Sequence, residues 1–209
     1  MAPAVKVVGV GPGSRDYITN AALNAVQEAQ ALVGGRRLLQ EFASPQQDQY
    51  ELRGEMSAAL DYIRVQMAEK QVAVLVSGDT GIFSFSAYLR RHLSASELEF
   101  IPGISSFQLL FARIQKSWAG AVFFNVHGRM PDYLSQAVQE EEISVLFTGG
   151  KWSPPAIAGH LLEAGVADLP AVVGKDLGYI DEEILWTDLA SLAVSNKSWN
   201  NSLLVIFNE

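Results

Sequence analysis

Short, unbroken apolar runs recur along the chain, and each ends in a small polar turn. The clearest is Val72-Ala-Val-Leu-Val76, which enters Ser77-Gly-Asp-Thr-Gly81 without any polar alternation. Such a run reads as a strand covered on both faces, as in the parallel sheet of an α/β protein. The same pattern predicts strands over 5–10, 31–33, 98–101, 121–126, 143–147, 170–174, 183–187 and 202–207, the last two forming a hairpin-like end to a sheet. Helical spacing predicts helices over 20–30 behind an N-capping Thr19, 56–69, 82–92, 107–114, 131–140 and 154–164. In the second of these, Met56, Ala59, Leu60, Ile63 and Met67 share a face and are expected in the core. The polar stretch 41–52, with Pro45, is expected as a surface loop. A break at Trp118–Gly120 suggests two α/β domains, 1–116 and 117–209, the first richer in βα units.

Ligands of open α/β sheets sit beyond the carboxyl ends of the strands, so the turns there carry the candidate chemistry. Gly78 and Gly81 allow a sharp turn, and Asp79 between them either caps the following helix or accepts hydrogen bonds from an amine or ribose hydroxyl. Gly9-Val-Gly-Pro-Gly13 falls short of a dinucleotide fingerprint: position 14 is Ser, and Pro12 removes an N–H that a pyrophosphate would use. That loop is either a plain turn or a rigid rim for another ligand. Gly34-Gly-Arg-Arg37 reads equally as a solvated basic turn or a carboxylate-binding edge. Ser105 and Ser106 stand at a helix start, as caps or as donors to a carboxylate or ribose. Further strand-end loops are His127-Gly-Arg129, Thr148-Gly-Gly150 and Gly174 onward.

Composition narrows the partners. A net charge of -8 argues against a nucleic-acid backbone, which needs clustered cations. The absence of cysteine excludes disulfides, thiolate metal ligands and thiol nucleophiles, and fits a reducing cytoplasm. No basic stretch followed by an apolar helix opens the chain, and no apolar run nears the ~20 residues that span a bilayer. The chain has no G-x-S-x-G elbow, no G-x-x-x-x-G-K-[ST] loop and no His or carboxylate cluster with metal-ligand spacing, so no bound catalytic metal is expected. Of three histidines, only His127 leads directly from a strand into a glycine, and it is the one placed candidate for accepting a proton. So few catalytic groups suit a reaction whose cofactor arrives already activated, with positioning supplying the rate.

Val8-Gly-Val-Gly-Pro-Gly13, Ser77-Gly-Asp79 and Ile101-Pro-Gly-Ile-Ser-Ser106, in that order, resemble the signatures of the tetrapyrrole (corrin/porphyrin) methyltransferases. Val33-Gly-Gly-Arg-Arg-Leu38, Val126-His-Gly-Arg129 and the loop Lys175-Asp-Leu-Gly178 with Asp181-Glu-Glu183 resemble its cobalt-precorrin-7 (C5)-methylating branch. The resemblance implies two α/β domains with S-adenosylmethionine folded into the cleft between them. It assigns Pro12, Gly78, Asp79, Ile82, Ser105 and Ser106 to the cofactor from one side, and Phe147, Thr148, Gly174 and Asn201 from the other. The substrate it implies is a corrin-type ring rich in carboxylates, for which Arg15, Arg36, His127 and Arg129 are the candidate contacts. Two positions depart from the family pattern: Thr80 stands where Gly-Asp-Pro is usual, and Arg15 where Pro is usual. Arg15 is then either a solvated rim charge or a substrate contact. Some relatives carry a fused domain that methylates C15. A chain ending at Glu209 is expected to methylate C5 alone, as a cytoplasmic homodimer beside a separate C15-methylating enzyme. Rival readings are methylation of ribosomal RNA ribose or of a modified histidine on a protein, or a non-catalytic tetrapyrrole-binding role.

Overall fold

The computed structural model describes residues 4–208. They form two compact units that divide between Ser105 and Ser106. The first contains β1 (Val5–Gly9), α1 (Asn20–Glu28), β2 (Ala31–Gly34), α2 (Arg36–Phe42), β3 (Asp48–Glu51), α3 (Met56–Gln66), β4 (Val72–Val76), α4 (Ser86–His92) and β5 (Leu98–Ile101). Its strands lie in the order β3-β2-β4-β1-β5, every pairing parallel. The side-chain alternation of a strand explains the unbroken apolar runs. Val72, Val74 and Val76, with Val5, Val7 and Val33, pack against Leu60 and Ile63 of α3 and Leu89 of α4. Ala73 and Leu75, with Val8 and Leu32, pack on the opposite face against Val26 of α1 and Leu38, Leu39 and Phe42 of α2. Each fully buried aliphatic side chain of this kind contributes ~1.5–3 kcal/mol.

The second unit contains α5 (Ser106–Ile114), β6 (Val122–Asn125), α6 (Leu134–Glu140), β7 (Ile143–Phe147), α7 (Pro154–Glu163), β8 (Pro170–Lys175), β9 (Glu183–Asp188), α8 (Leu189–Ala193) and β10 (Ser202–Phe207). Its sheet, β6-β7-β10-β8-β9, is parallel only between β6 and β7. On one face Leu146, Val173, Leu204 and Ile206 meet Leu134 and Val138 of α6, Ile157 and Leu161 of α7 and Leu189 and Leu192 of α8. On the other lies α5: Phe107 packs on Phe123 and Trp118, and Leu110 reaches Gly174. These contacts group α5 with the second unit, where the sequence pattern placed it at the end of the first.

Several elements differ from the pattern read along the chain. Arg36 and Arg37, read as part of either a basic turn or a carboxylate-binding edge, open helix α2, because Leu38, Leu39 and Phe42 are spaced to bury against the sheet. The expected loop 41–52 contains β3, a polar edge strand with no apolar signal. Helix α4 starts at Ser86, four residues later than the spacing suggested. In the intervening turn the hydroxyls of Ser84 and Ser86 both reach the Thr80 carbonyl, and Phe83 is left-handed (φ 43). Helix α6 likewise starts after Pro131, at Leu134. Met56 is 46% exposed at the first turn of α3 and not in the core. The hairpin of the second sheet is β8–β9, while β10 runs between β7 and β8, antiparallel to both. The short helix α8 had no counterpart in the pattern.

Candidate functional site

Because the first sheet is wholly parallel, the carboxyl ends of β1, β2, β4 and β5 open on one edge. Past the strand ends, Gly11 and Gly78 exchange backbone hydrogen bonds (3.3 and 2.8 Å), which carries the β1–β4 pairing into the turns. Gly9, Gly78 and Gly103 meet there backbone to backbone: a Cβ on Gly9 would lie 2.7 Å from both Gly103 N and Gly78 O. A Cβ on Gly103 would overlap the carbonyl oxygens of both partners. The result is a junction of bare backbone with Asp79 and Ser105 beside it. Asp79 is half-buried, and its two carboxylate oxygens accept from Gly81 N (2.7 Å) and Gly103 N (3.2 Å), tying the β4 and β5 turns together. It does not cap α4, which begins seven residues on. Pro12 and Ser105 are buried and Ile82 half-buried.

The arginines of this unit divide. Arg15 donates to the side chain and carbonyl of Glu41 and lies over the Phe42 ring at 5.7 Å, so the structure engages it with the end of α2. Arg36 is exposed at the first turn of α2.

In the second unit the carboxyl ends of β6, β7 and β8 share an edge with the amino ends of β9 and β10. His127, Arg129, Thr148, Gly174 and Asn201 all gather on this edge. Thr148 Oγ1 lies 2.7 Å from the Ser202 carbonyl and 2.8 Å from its hydroxyl, while Phe147 ends β7 half-buried. Gly174 is packed closely, its α-carbon facing Leu110 and Leu177. His127 is exposed; its backbone N–H donates to Asn125 Oδ1 (3.0 Å), and its ring lies against Gly149. Arg129 pairs with Asp132 at 3.4 Å, with both side chains open to solvent (85% and 90%). Ser106 opens α5.

Three features of this edge were not legible beforehand. Asp176 and Asn201 are both left-handed (φ 46 and 52) and hold each other: Asn201 Nδ2 donates to Asp176 Oδ1 (2.9 Å), and Asp176 N donates to the Asn201 carbonyl (3.1 Å). Asp and Asn tolerate that conformation best among residues with a Cβ, which was the only sequence signal. Glu182 accepts from Gly178 N and Arg113, each at 2.7 Å, bracing the 176–182 loop against α5. Gly149 gave no signal beyond being one of two adjacent glycines.

The carboxylate and hydroxyl groups on these edges are of the kind that hold a nucleoside carrying an amino acid. The Asp79 carboxylate has acceptor capacity beyond its two backbone bonds, and Ser105 and Ser106 carry hydroxyls, while the glycine junction itself is filled by the backbone of Gly9, Gly78 and Gly103. Among the described residues no three His, Asp or Glu side chains group to hold a metal ion, and no helix is long and apolar enough to cross a membrane. Among the described residues, the carboxylates with displaced proton affinity lie at the opposite strand ends: hydrogen bonds from Ser94 lower Glu97 before β5, and the Ser191 N–H lowers Asp188 at the end of β9.

The family described as Tetrapyrrole (Corrin/Porphyrin) Methylases matches residues 4–193. A cobalt-precorrin-7 C(5)-methyltransferase of Salmonella typhimurium is 29% identical over 203 residues, covering 97% of this chain and 98% of that protein. The solved precorrin-6Y methylase of Archaeoglobus fulgidus shares the fold with a TM-score of 0.76 at 17% identity, over 99% of this chain and 98% of that one. A uroporphyrin-III C-methyltransferase of Thermus thermophilus, solved with S-adenosylhomocysteine, gives 0.77 at 21% identity over 98% and 97%. The match across the first unit and most of the second, with this fold, places the chain in the tetrapyrrole (corrin/porphyrin) methylases, methyltransferases that use S-adenosylmethionine as methyl donor.

Proposed function

We propose that this protein methylates C5 of a precorrin-7-type corrin ring in cobalamin biosynthesis. The carrying observation is the match to a cobalt-precorrin-7 C(5)-methyltransferase along 97% of the chain. That relative is named for C5 alone, and the reading leaves C15 to a separate enzyme. S-adenosylmethionine supplies a methyl group activated on sulfonium sulfur. The methyl carbon exchanges its bond to sulfur for one to C5, the sulfur keeps the bonding pair, and a ring proton passes to a base. An enamine-like ring carbon is nucleophilic enough that positioning carries much of the rate.

The residues proposed for the cofactor are Pro12, Gly78, Asp79, Ile82 and Ser105 in the first unit, and Ser106, Phe147, Thr148, Gly174 and Asn201 in the second. Arg36 and Arg129 are proposed for ring carboxylates, which an exposed guanidinium fork binds in pairs. His127 is proposed as the proton acceptor. Arg15 is left out, because Glu41 already engages it.

Incubation of purified protein with methyl-labelled S-adenosylmethionine and cobalt-precorrin-7 tests the reading. One labelled methyl should appear at C5 by carbon NMR, with one equivalent of S-adenosylhomocysteine. Label at another ring carbon, or none on the ring, would refute it.

A further inference from the structure

The His127 ring has a seat. A Cβ built on Gly149 would fall on Nδ1 and Cε1 of that ring and 2.9 Å from its Cγ. All three of the nearest atoms to such a Cβ belong to His127. Gly149 itself is pinned: its N–H and C=O both pair with Trp152, each at 3.2 Å. It is not among the glycines with positive φ, so alanine fits the backbone there and lacks only the space that the imidazole fills. The His127 backbone N–H donates to Asn125 Oδ1, which holds the main chain that carries the ring. The three contacting atoms include Nδ1, which leaves Nε2 as the ring nitrogen outside the seat.

We propose that Gly149 is a positioning residue: its missing side chain fixes the His127 imidazole with Nε2 presented as the nitrogen that takes the ring proton. This rests on the reading of His127 given above and adds what holds it. A base works only within hydrogen-bond reach of its proton, so a ring pushed off its seat loses the geometry even though the imidazole remains. The displaced group is an exposed side chain that can swing into solvent, so the substitution perturbs the ring and leaves the fold alone.

The test uses Gly149→Ala, His127→Ala and the double variant of the full chain. Gly149→Ala should stay folded by circular dichroism and bind S-adenosylmethionine as the wild type does. Its kcat should fall by about a hundredfold or more, the range of a lost general base, and to within a few-fold of His127→Ala. The double variant should be no slower than His127→Ala, and both single variants should lose the same acid limb of the kcat–pH profile. Independently of turnover, proton–nitrogen correlation spectra of the ligand-free protein should show shifted His127 ring signals in Gly149→Ala, those signals being identified by their loss in His127→Ala. Wild-type kcat and pH profile in a folded Gly149→Ala protein overturn the proposal, as does a fully active His127→Ala. If the wild type methylates no ring at all, the functional reading falls and the proton role with it. The ring spectra still decide the seat, with unshifted His127 signals in Gly149→Ala counting against it.

Discussion

At the scale of the residue, what decides the outcome of a substitution is whether the atoms in its way can move. Gly103 and Gly149 both lie at strand-end edges, and both would place a new Cβ on top of existing atoms. At Gly103 those atoms are the backbone of Gly78 and Gly9, locked by the pairing of β1 with β4. We expect Gly103→Ala to lose about 3 kcal/mol or more in chemical denaturation, since only strand separation makes room. Asp79 belongs to the same junction. Removing its carboxylate frees two backbone N–H groups, of Gly81 and Gly103, besides any contact to the cofactor. Asp79→Ala should cost about 1–3 kcal/mol of stability and weaken S-adenosylmethionine binding in calorimetry. Unchanged stability with weakened binding would assign Asp79 to the ligand alone.

At the scale of the element, helix starts are fixed by side chains that satisfy the first N–H groups. Thr19 does this for α1, Ser153 for α7 and Asp188 for α8. Asp188 accepts from Ser191 N at 2.7 Å, which holds its carboxylate below the usual range; Glu97 is held down in the same direction by the Ser94 hydroxyl and N–H. A carboxyl whose folded pKa is depressed binds protons more tightly in the unfolded chain. Its stabilisation is therefore complete above the unfolded values, about 4, and is lost as pH falls through the folded ones. The thermal midpoint should accordingly drop as pH is lowered below about 4, and the drop should be shallower in Asp188→Asn. An identical acid slope in that variant would remove Asp188 from the account.

At the scale of the whole molecule, a chain of net charge -8 must bind a ring proposed to carry many carboxylates. The long-range field repels such a ligand, and attraction must come from a few fixed cations at short range. Arg129 qualifies because its present partner holds it weakly: an exposed pair such as that with Asp132 is worth about 0–1 kcal/mol, so exchanging Asp132 for a substrate carboxylate costs little. Arg129→Lys keeps the charge but loses the planar fork, and should raise KM for the ring roughly tenfold without changing S-adenosylmethionine affinity. The association rate of the ring with wild-type protein should rise as salt is added up to physiological strength, because screening removes repulsion before it reaches close contacts. A rate that falls with salt would mean that the ring meets a positive field on approach.

The chain by itself determined what depends on neighbours in sequence. Apolar runs set the strands of both sheets other than β3, glycine and serine turns marked strand ends, and Thr19 and Pro154 announced helix starts. Its ordered motifs were also specific enough to point to the family. The tertiary structure decided what depends on residues far apart. Helix α2 is held by a sheet face that Leu38, Leu39 and Phe42 can reach only once β2 and β4 have paired, and β3 is a strand because β2 offers it an edge. β10 looks locally like the last member of a closing hairpin; its place between β7 and β8 comes from pairing with residues such as Phe147 and Gly174, tens of positions earlier. The same holds for the site. Nothing in the sequence links histidine at 127 to glycine at 149, and only the parallel pairing of β6 with β7 sets the ring of one on the bare α-carbon of the other. Local sequence carries periodicity and turn chemistry, whereas strand order and close approach are properties of the closed sheet.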